Sequence, residues 1–286
     1  MGTLKGYYEA LKPERTYANV MTTAAGFLFA CAWHIDWALL LYTLLGTTLV
    51  VMSACAANNC TDRGIDARMP RTKQRATVTG EVSVRWLTSV AVAFGLIGFA
   101  VLLVHVNWLT ALVGVIAYID YVVLYGWSKR TTVHSTLIGT ISGAAPLVAG
   151  YTAVAGRFDV TALLLGLSMI FWQMPHFYAI GIFRHDDYKV GGLPVWPVQR
   201  GVRSAQYWMV AYTALYLCTG VSLAVFGHAS ATYAAVISLA GLYWLWLGVK
   251  GMHSLEPVKW ARGIFGVSLV VLLVFSAAVA LSPLLP

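Results

Sequence analysis

Residues 37–66 read WALLLYTLLGTTLVVMSACAANNCTDRGID. The first part, Trp37–Ala57, carries no charge and is long enough to cross hydrocarbon, which takes about 20 residues at a rise of about 1.5 Å each. The remainder, Asn58–Asp66, is crowded with amides, carboxylates and one guanidinium. An apolar helix that runs out into an acid-bearing end decides the fold class: all-α, membrane-spanning, with chemistry at the rim.

Outward from this stretch the same pattern recurs. Apolar blocks lie near Tyr17–Trp33, Trp37–Ala57, Trp86–Val104, Trp108–Trp127 and His134–Ala155. Further blocks lie near Val160–Ile182, Ala205–Phe226, Ala231–Val249 and Gly263–Leu281, giving an expectation of nine spans. Trp33, Trp37, Trp86, Trp108 and Trp127 fall near the ends, where an interfacial aromatic belt belongs. The composition agrees, with 59% hydrophobic and only 10% charged residues, which excludes a water-soluble domain. Nine spans use about 180 residues, so residues 1–286 are expected to form one membrane domain without a sizeable soluble part.

The net charge of +8 is distributed unevenly. With nine spans and a cytoplasmic N-terminus, every Lys and Arg except Arg157 falls in a cytoplasmic segment, so the positive-inside rule selects that orientation. Met1–Arg15 is polar and of mixed sign, with neither a signal-peptide core nor an acid-poor transit segment, which leads to the expectation of direct insertion into a bacterial plasma membrane. Cys31, Cys55, Cys60 and Cys218 have no metal or disulfide spacing. Nucleic acid is not expected as a partner, whereas membrane lipid is.

Asn58, Asp62 and Asp66 are spaced four apart, which places them on one face of a helix continuing from the membrane. Hard oxygen ligands in that pattern suit Mg²⁺ shared with substrate phosphates. A solvated acidic turn paired with Arg63 and Arg68 is the plain alternative. Arg71, Lys73 and Arg75 follow at once, and Lys129 and Arg130 lie on the same membrane side one turn beyond Tyr125. Such cations suit phosphate oxygens, or equally anionic lipid. A second charged connection, Arg184-His185-Asp186-Asp187-Tyr188-Lys189, lies four spans later and faces the same way. Together the three connections suggest a shared diphosphate site. Within the sixth span, Trp172-Gln173-Met174-Pro175-His176 puts an ionisable ring in the membrane beside a helix-bending proline, and Asp120 is a weaker intramembrane candidate.

On these residues the chain resembles the UbiA superfamily of intramembrane prenyltransferases, and within it the heme-modifying branch. The likeness runs from Lys12-Pro13 through Asn58-Asn59, Asp62-Arg63, Ile65-Asp66, Arg71-Thr72-Lys73 and Arg75. It continues through Lys129-Arg130, His134, Ser142–Pro146, Trp172–His176, Ile182–Arg184, Asp187-Tyr188, Pro194-Val195 and Trp260–Arg262. The Trp172–His176 run with Phe183-Arg184 is the part most specific to that branch. The resemblance implies helices around a lipid-accessible cavity capped by two motif loops. It also implies transfer of farnesyl from farnesyl diphosphate to a vinyl group of heme b, with water completing heme O. By matching positions, Asn58, Asp62 and Asp66 are expected on Mg²⁺, with Arg71, Arg75, Lys129 and Arg130 on the diphosphate. His176 is expected beside heme as axial ligand or near the reacting vinyl.

Superfamily members acting on aromatic acids carry Asp where Asn59 stands, and their second motif pairs two Asp four apart, where this chain has Phe183 and Asp187. An incomplete second metal site follows, with Asp186 beside Asp187 or Arg184 on phosphate compensating. The pathway implied by the resemblance suggests a heme A synthase or terminal oxidase as partner. A quinone-precursor prenyltransferase and a small-molecule transporter are the competing readings; the Trp172–His176 run opposes the first and the one-sided charge the second.

Overall fold

The computed structural model describes residues 4–252 and 254–286, and these form helices and turns without strands. In chain order the α-helices are α1 (Leu4–Ala10), α2 (Pro13–Cys31), α3 (Trp37–Asp66), α4 (Ala76–Thr79), α5 (Val84–Val101), α6 (Trp108–Ile119) and α7 (Tyr125–Thr131). They continue as α8 (Ser135–Ala155), α9 (Val160–Phe183), α10 (His185–Gly191), α11 (Trp196–Arg200), α12 (Val202–Val225), α13 (Ala231–Gly251) and α14 (Pro257–Leu281). A π-helical turn at Leu102–Val106 extends α5, and another at Asp120–Leu124 joins α6 to α7, so that Trp108–Thr131 is one continuous rod.

Eight rods among the described residues are long and apolar enough to cross a membrane. The expected first span is the exception. Helix α2 has 19 residues, but Glu14, Arg15, Asn19 and three threonines lower its apolar content. Its polar groups bond locally, with Thr22 and Thr23 hydroxyls donating to the Asn19 carbonyl at 3.0 and 2.8 Å. It also packs closely on α8. A Cβ on Gly26 of α2 would strike the Leu147 carbonyl oxygen, and one on Gly150 of α8 the Thr23 carbonyl oxygen. In lipid, where apolar burial no longer drives helices together, such close backbone approach supplies the contact.

The main core joins α2, α8, α9, α12, α13 and α14 around Trp172, Tyr216, Trp244 and Phe275. A smaller cluster of Ala10, Ala56, Val82, Leu87 and Ala91 ties the end of α1 to α3 and α5. Leu96, Leu239 and Val270 lie exposed on the rods, and Trp37, Trp108 and Trp127 lie exposed near rod ends, as a lipid-facing surface with an aromatic belt requires. Helix α9 continues through Pro175 as a single element.

Helix α3 is what lifts the acidic motif out of the apolar layer. Its 30 residues span about 45 Å, some 15 Å more than a hydrocarbon core of about 30 Å. The excess corresponds to the last ten or so residues, those carrying Asn58, Asp62 and Asp66. Asp36 caps the other end, accepting from the Leu39 amide at 3.0 Å.

Candidate active site

The C-terminal ends of α3, α7 and α9 meet at one end of the bundle. On α3, Asn58 Nδ2 donates to Asp62 Oδ2 at 2.8 Å, so the two side chains form one ledge. Lys129, on the last turn of α7, reaches that ledge from the side. Its Nζ donates to Asn58 Oδ1 at 2.8 Å and pairs with Asp62 Oδ1 at 2.5 Å. Arg130 lies 3.6 Å from the same carboxylate and donates to the Thr61 carbonyl at 2.7 Å. One turn further, Asp66 is buried and accepts from Arg75 at 2.6 Å, while the Thr72 hydroxyl donates to the Asp66 carbonyl at 2.9 Å. The loop after α3 thus folds back on the helix that precedes it.

The second connection is looser. Asp187 on α10 lies between Arg71 at 3.8 Å and Arg184 at 3.7 Å, which links the two motif loops by ion pairs rather than close hydrogen bonds. Asp186 does not join them. Its side chain is 99% exposed and pairs with His185 at 3.2 Å, so the expected compensation by Asp186 gives way to Asp187 alone. A helix turns successive side chains by about 100°, which puts Asp186 and Asp187 on different faces.

Beside Lys129 lies a cavity of about 120 Å³ lined by Arg15, Tyr121, Tyr125, Phe177, Tyr178 and Tyr188 among others. Arg15 and Tyr121 belong to the site although their spacing gave no sign of it. Arg15 NH1 donates to the Tyr121 hydroxyl at 2.8 Å, Tyr121 stacks on Tyr125 with centroids 5.7 Å apart, and Lys129 sits 5.1 Å over the Tyr125 ring. The π turn at Asp120–Leu124 carries Tyr121, Tyr125 follows it at the start of α7, and Asp120 accepts from the Ser142 amide at 3.0 Å. Gly139 on α8 leaves room for Tyr125, since a Cβ there would come within 2.7 Å of the ring. In the turn before α2, burial and neighbouring Arg15 push Lys12 down to about 7, and in the cavity lining burial pushes the Tyr188 hydroxyl up.

A sequence model of the UbiA prenyltransferase family matches residues 19–282. The chain belongs to that family. Among its UbiA relatives, protoheme IX farnesyltransferase 1 of Shewanella frigidimarina is 41% identical over 280 residues, covering 97% of this chain and 92% of the relative. The UbiA fold recurs in a solved structure of digeranylgeranylglyceryl phosphate synthase, with a TM-score of 0.82 and 14% identity, covering 98% of each chain. It recurs again in a UbiA homologue from Archaeoglobus fulgidus bound to GPP and Mg²⁺, with a TM-score of 0.73, 15% identity, and coverage of 96% and 99%.

The donor chemistry of this UbiA chain suits the metal seen in that homologue. Asn58, Asp62 and Asp66 offer oxygen atoms on one face, and Lys129 and Arg75 stand against them. Among the described residues no three His, Cys, Asp or Glu side chains lie close enough to hold an ion unaided. A cation held here needs phosphate oxygens to complete its shell, which is the usual manner of Mg²⁺.

His176 occupies a separate place in the UbiA fold. It is buried on α9 between Trp172 at 5.0 Å and Phe265 at 4.8 Å, with Nδ1 2.8 Å from the Ser268 hydroxyl. That hydroxyl spends its proton on the Phe265 carbonyl at 2.6 Å, so it accepts from His176 and fixes the Nδ1–H tautomer. Nε2 keeps its lone pair. The cavity itself is lined by the next two residues, Phe177 and Tyr178.

Proposed function

We propose that this prenyltransferase joins the farnesyl group of farnesyl diphosphate to a vinyl group of heme b, with water completing heme O. The observation that carries the reading is the bridge of Lys129 to Asn58 and Asp62 at the mouth of an aromatic cavity, in a chain 41% identical to a protoheme IX farnesyltransferase. Such a mouth suits a diphosphate head, and such a cavity suits the first isoprene unit.

The chemical task is to break the allylic carbon–oxygen bond, with the electron pair leaving on the diphosphate. Asn58, Asp62 and Asp66 would hold Mg²⁺, which would neutralise charge growing on the leaving diphosphate. Lys129, Arg130 and Arg75 already stand at those carboxylates and need only short movements to donate to phosphate instead. Arg71 and Arg184, shared on Asp187, close the opposite side. The rings of Tyr121, Tyr125 and Tyr178 keep water from the allylic cation until the vinyl carbon attacks. The new carbon–carbon bond moves positive charge to the heme side chain; water adds there and releases a proton. His176, with Nε2 free to accept, serves as ligand or neighbour of the heme. The end of the bundle holding the site is the cytoplasmic end in this reading, by the distribution of Lys and Arg.

The test is purified protein given heme b, farnesyl diphosphate and Mg²⁺, with farnesylated heme sought by mass. Transfer to a quinone precursor in place of heme b, or no transfer with either, overturns the proposal. For His176→Ala, heme retention and heme O yield are expected to fall together; unchanged values for both return the ring to a packing role.

A further inference from the structure

Asn59 sits inside the acidic motif but points elsewhere. It is one residue, about 100° of turn, round α3 from Asn58. Its side chain is buried, Nδ2 donates to the Ala10 carbonyl at 2.7 Å, and Oδ1 has no partner. Leaving half of a buried amide unpaired is costly, so the donor half is what the site keeps it for.

The acceptor explains the use. Ala10 is the last residue of α1, where a carbonyl has no partner within the helix. Two residues on, Lys12 adopts φ 52 and ψ 60, a left-handed conformation in a residue that bears a Cβ and precedes Pro13. Both circumstances disfavour it. Helix α2 starts there, and its first turn delivers Arg15 to the cavity, where NH1 donates to the Tyr121 hydroxyl. On the near side, α1 is anchored by Tyr7 against Trp86 with centroids 4.4 Å apart and by Ala10 in the Ala56–Leu87 cluster. On the far side, α2 is anchored to α8. The strained joint lies between two fixed bodies, and the Asn59 amide is a polar tie on it.

We propose that Asn59 is a positioning residue, whose amide donor holds the Ala10–Pro13 turn and so aims Arg15 at the diphosphate end of the cavity. This rests on the transferase function proposed above. It also accounts for an amide at this position in this chain: a carboxylate would set oxygen against the Ala10 carbonyl oxygen.

The experiment uses the full chain in lipid nanodiscs, with KM for farnesyl diphosphate, kcat, and backbone hydrogen exchange over residues 11–16. Asn59→Asp keeps the volume and removes the donor; Asn59→Ala removes both; Asn59→Ser keeps a shorter donor. The first two are expected to raise KM about tenfold, with kcat changed less than about threefold, and to speed exchange in the turn; Asn59→Ser recovers part of both. In an Arg15→Gln background the same changes are expected to raise KM less than about twofold, because the residue they act through is gone. Wild-type KM and exchange in Asn59→Asp overturn the proposal, as does an undiminished tenfold effect on top of Arg15→Gln. Absence of farnesyl transfer by the wild type defeats the transferase function instead, and the exchange measurement then still decides whether Asn59 ties the turn.

Discussion

The two acidic connections are similar in composition but differ in how closely their charges are paired. In the first, each carboxylate rises from a single long helix and meets a cation at 2.5–2.6 Å, with Asn58 locking the arrangement. In the second, one carboxylate on a short helix is divided between two guanidinium groups at 3.7–3.8 Å, and its neighbour faces solvent. Burial differs likewise: Asp66 and Lys129 are buried, whereas Arg71 and Arg184 are substantially exposed. Close charge pairs in a low-dielectric rim are held tightly, while pairs at longer range in water exchange readily. The first connection therefore holds its charged groups in one close arrangement, and the second leaves its own at longer range.

Five substitutions break or sharpen this contrast, in decreasing order of effect. Asp62→Asn is expected to lower farnesyl transfer about a thousandfold or more while the protein still inserts, measured as farnesylated heme in isolated membranes. Full activity in that variant and in Asp66→Asn removes the metal site. Lys129→Gln leaves Asn58 and Asp62 without their shared donor, and kcat/KM for farnesyl diphosphate is expected to fall about a hundredfold. Asp187→Asn releases only two long ion pairs, so a loss of about tenfold is expected, expressed as a higher Mg²⁺ requirement. A loss equal to that of Asp62→Asn would make the two connections equivalent. Asp186→Asn is expected to stay within about twofold of wild type in the same assay, as an exposed side chain should.

Much of the fold was legible because hydrocarbon imposes a length and a composition. The blocks Val160–Ile182 and Ala231–Val249 match α9 and α13 to within two residues. The continuation of α3 through Asp66 followed from the spacing of its acids. What was not legible has physical causes as well. Helix α2 was expected from the block Tyr17–Trp33, but the polar groups of its first half, some of them bonded to its own backbone, leave it less apolar than the other eight rods. That Asn58 and Asp62 share a face was readable from their spacing of four, whereas the reach of Lys129 and Arg75 to the acids of α3 is visible only in the structure. Arg15 and Tyr121 were not recognisable, since a cation at a helix start and a tyrosine within a span are ordinary by themselves, and only the bond across 106 residues makes them a pair. Asn59 carried the opposite difficulty: its place among acids suggests a ligand, while its side chain serves a carbonyl 49 residues earlier.

The π turn at Asp120–Leu124 carries a consequence of its own. Such a turn is an α-helix holding one surplus residue, so it acts as a phase shifter between the halves of a rod. Everything beyond it, including Tyr125, Lys129 and Arg130, is set round the axis by about 100° from where an uninterrupted α-helix would hold it. The lysine that bridges Asn58 and Asp62 thus owes its bearing to a single extra amino acid about two turns before it in the wall of the bundle.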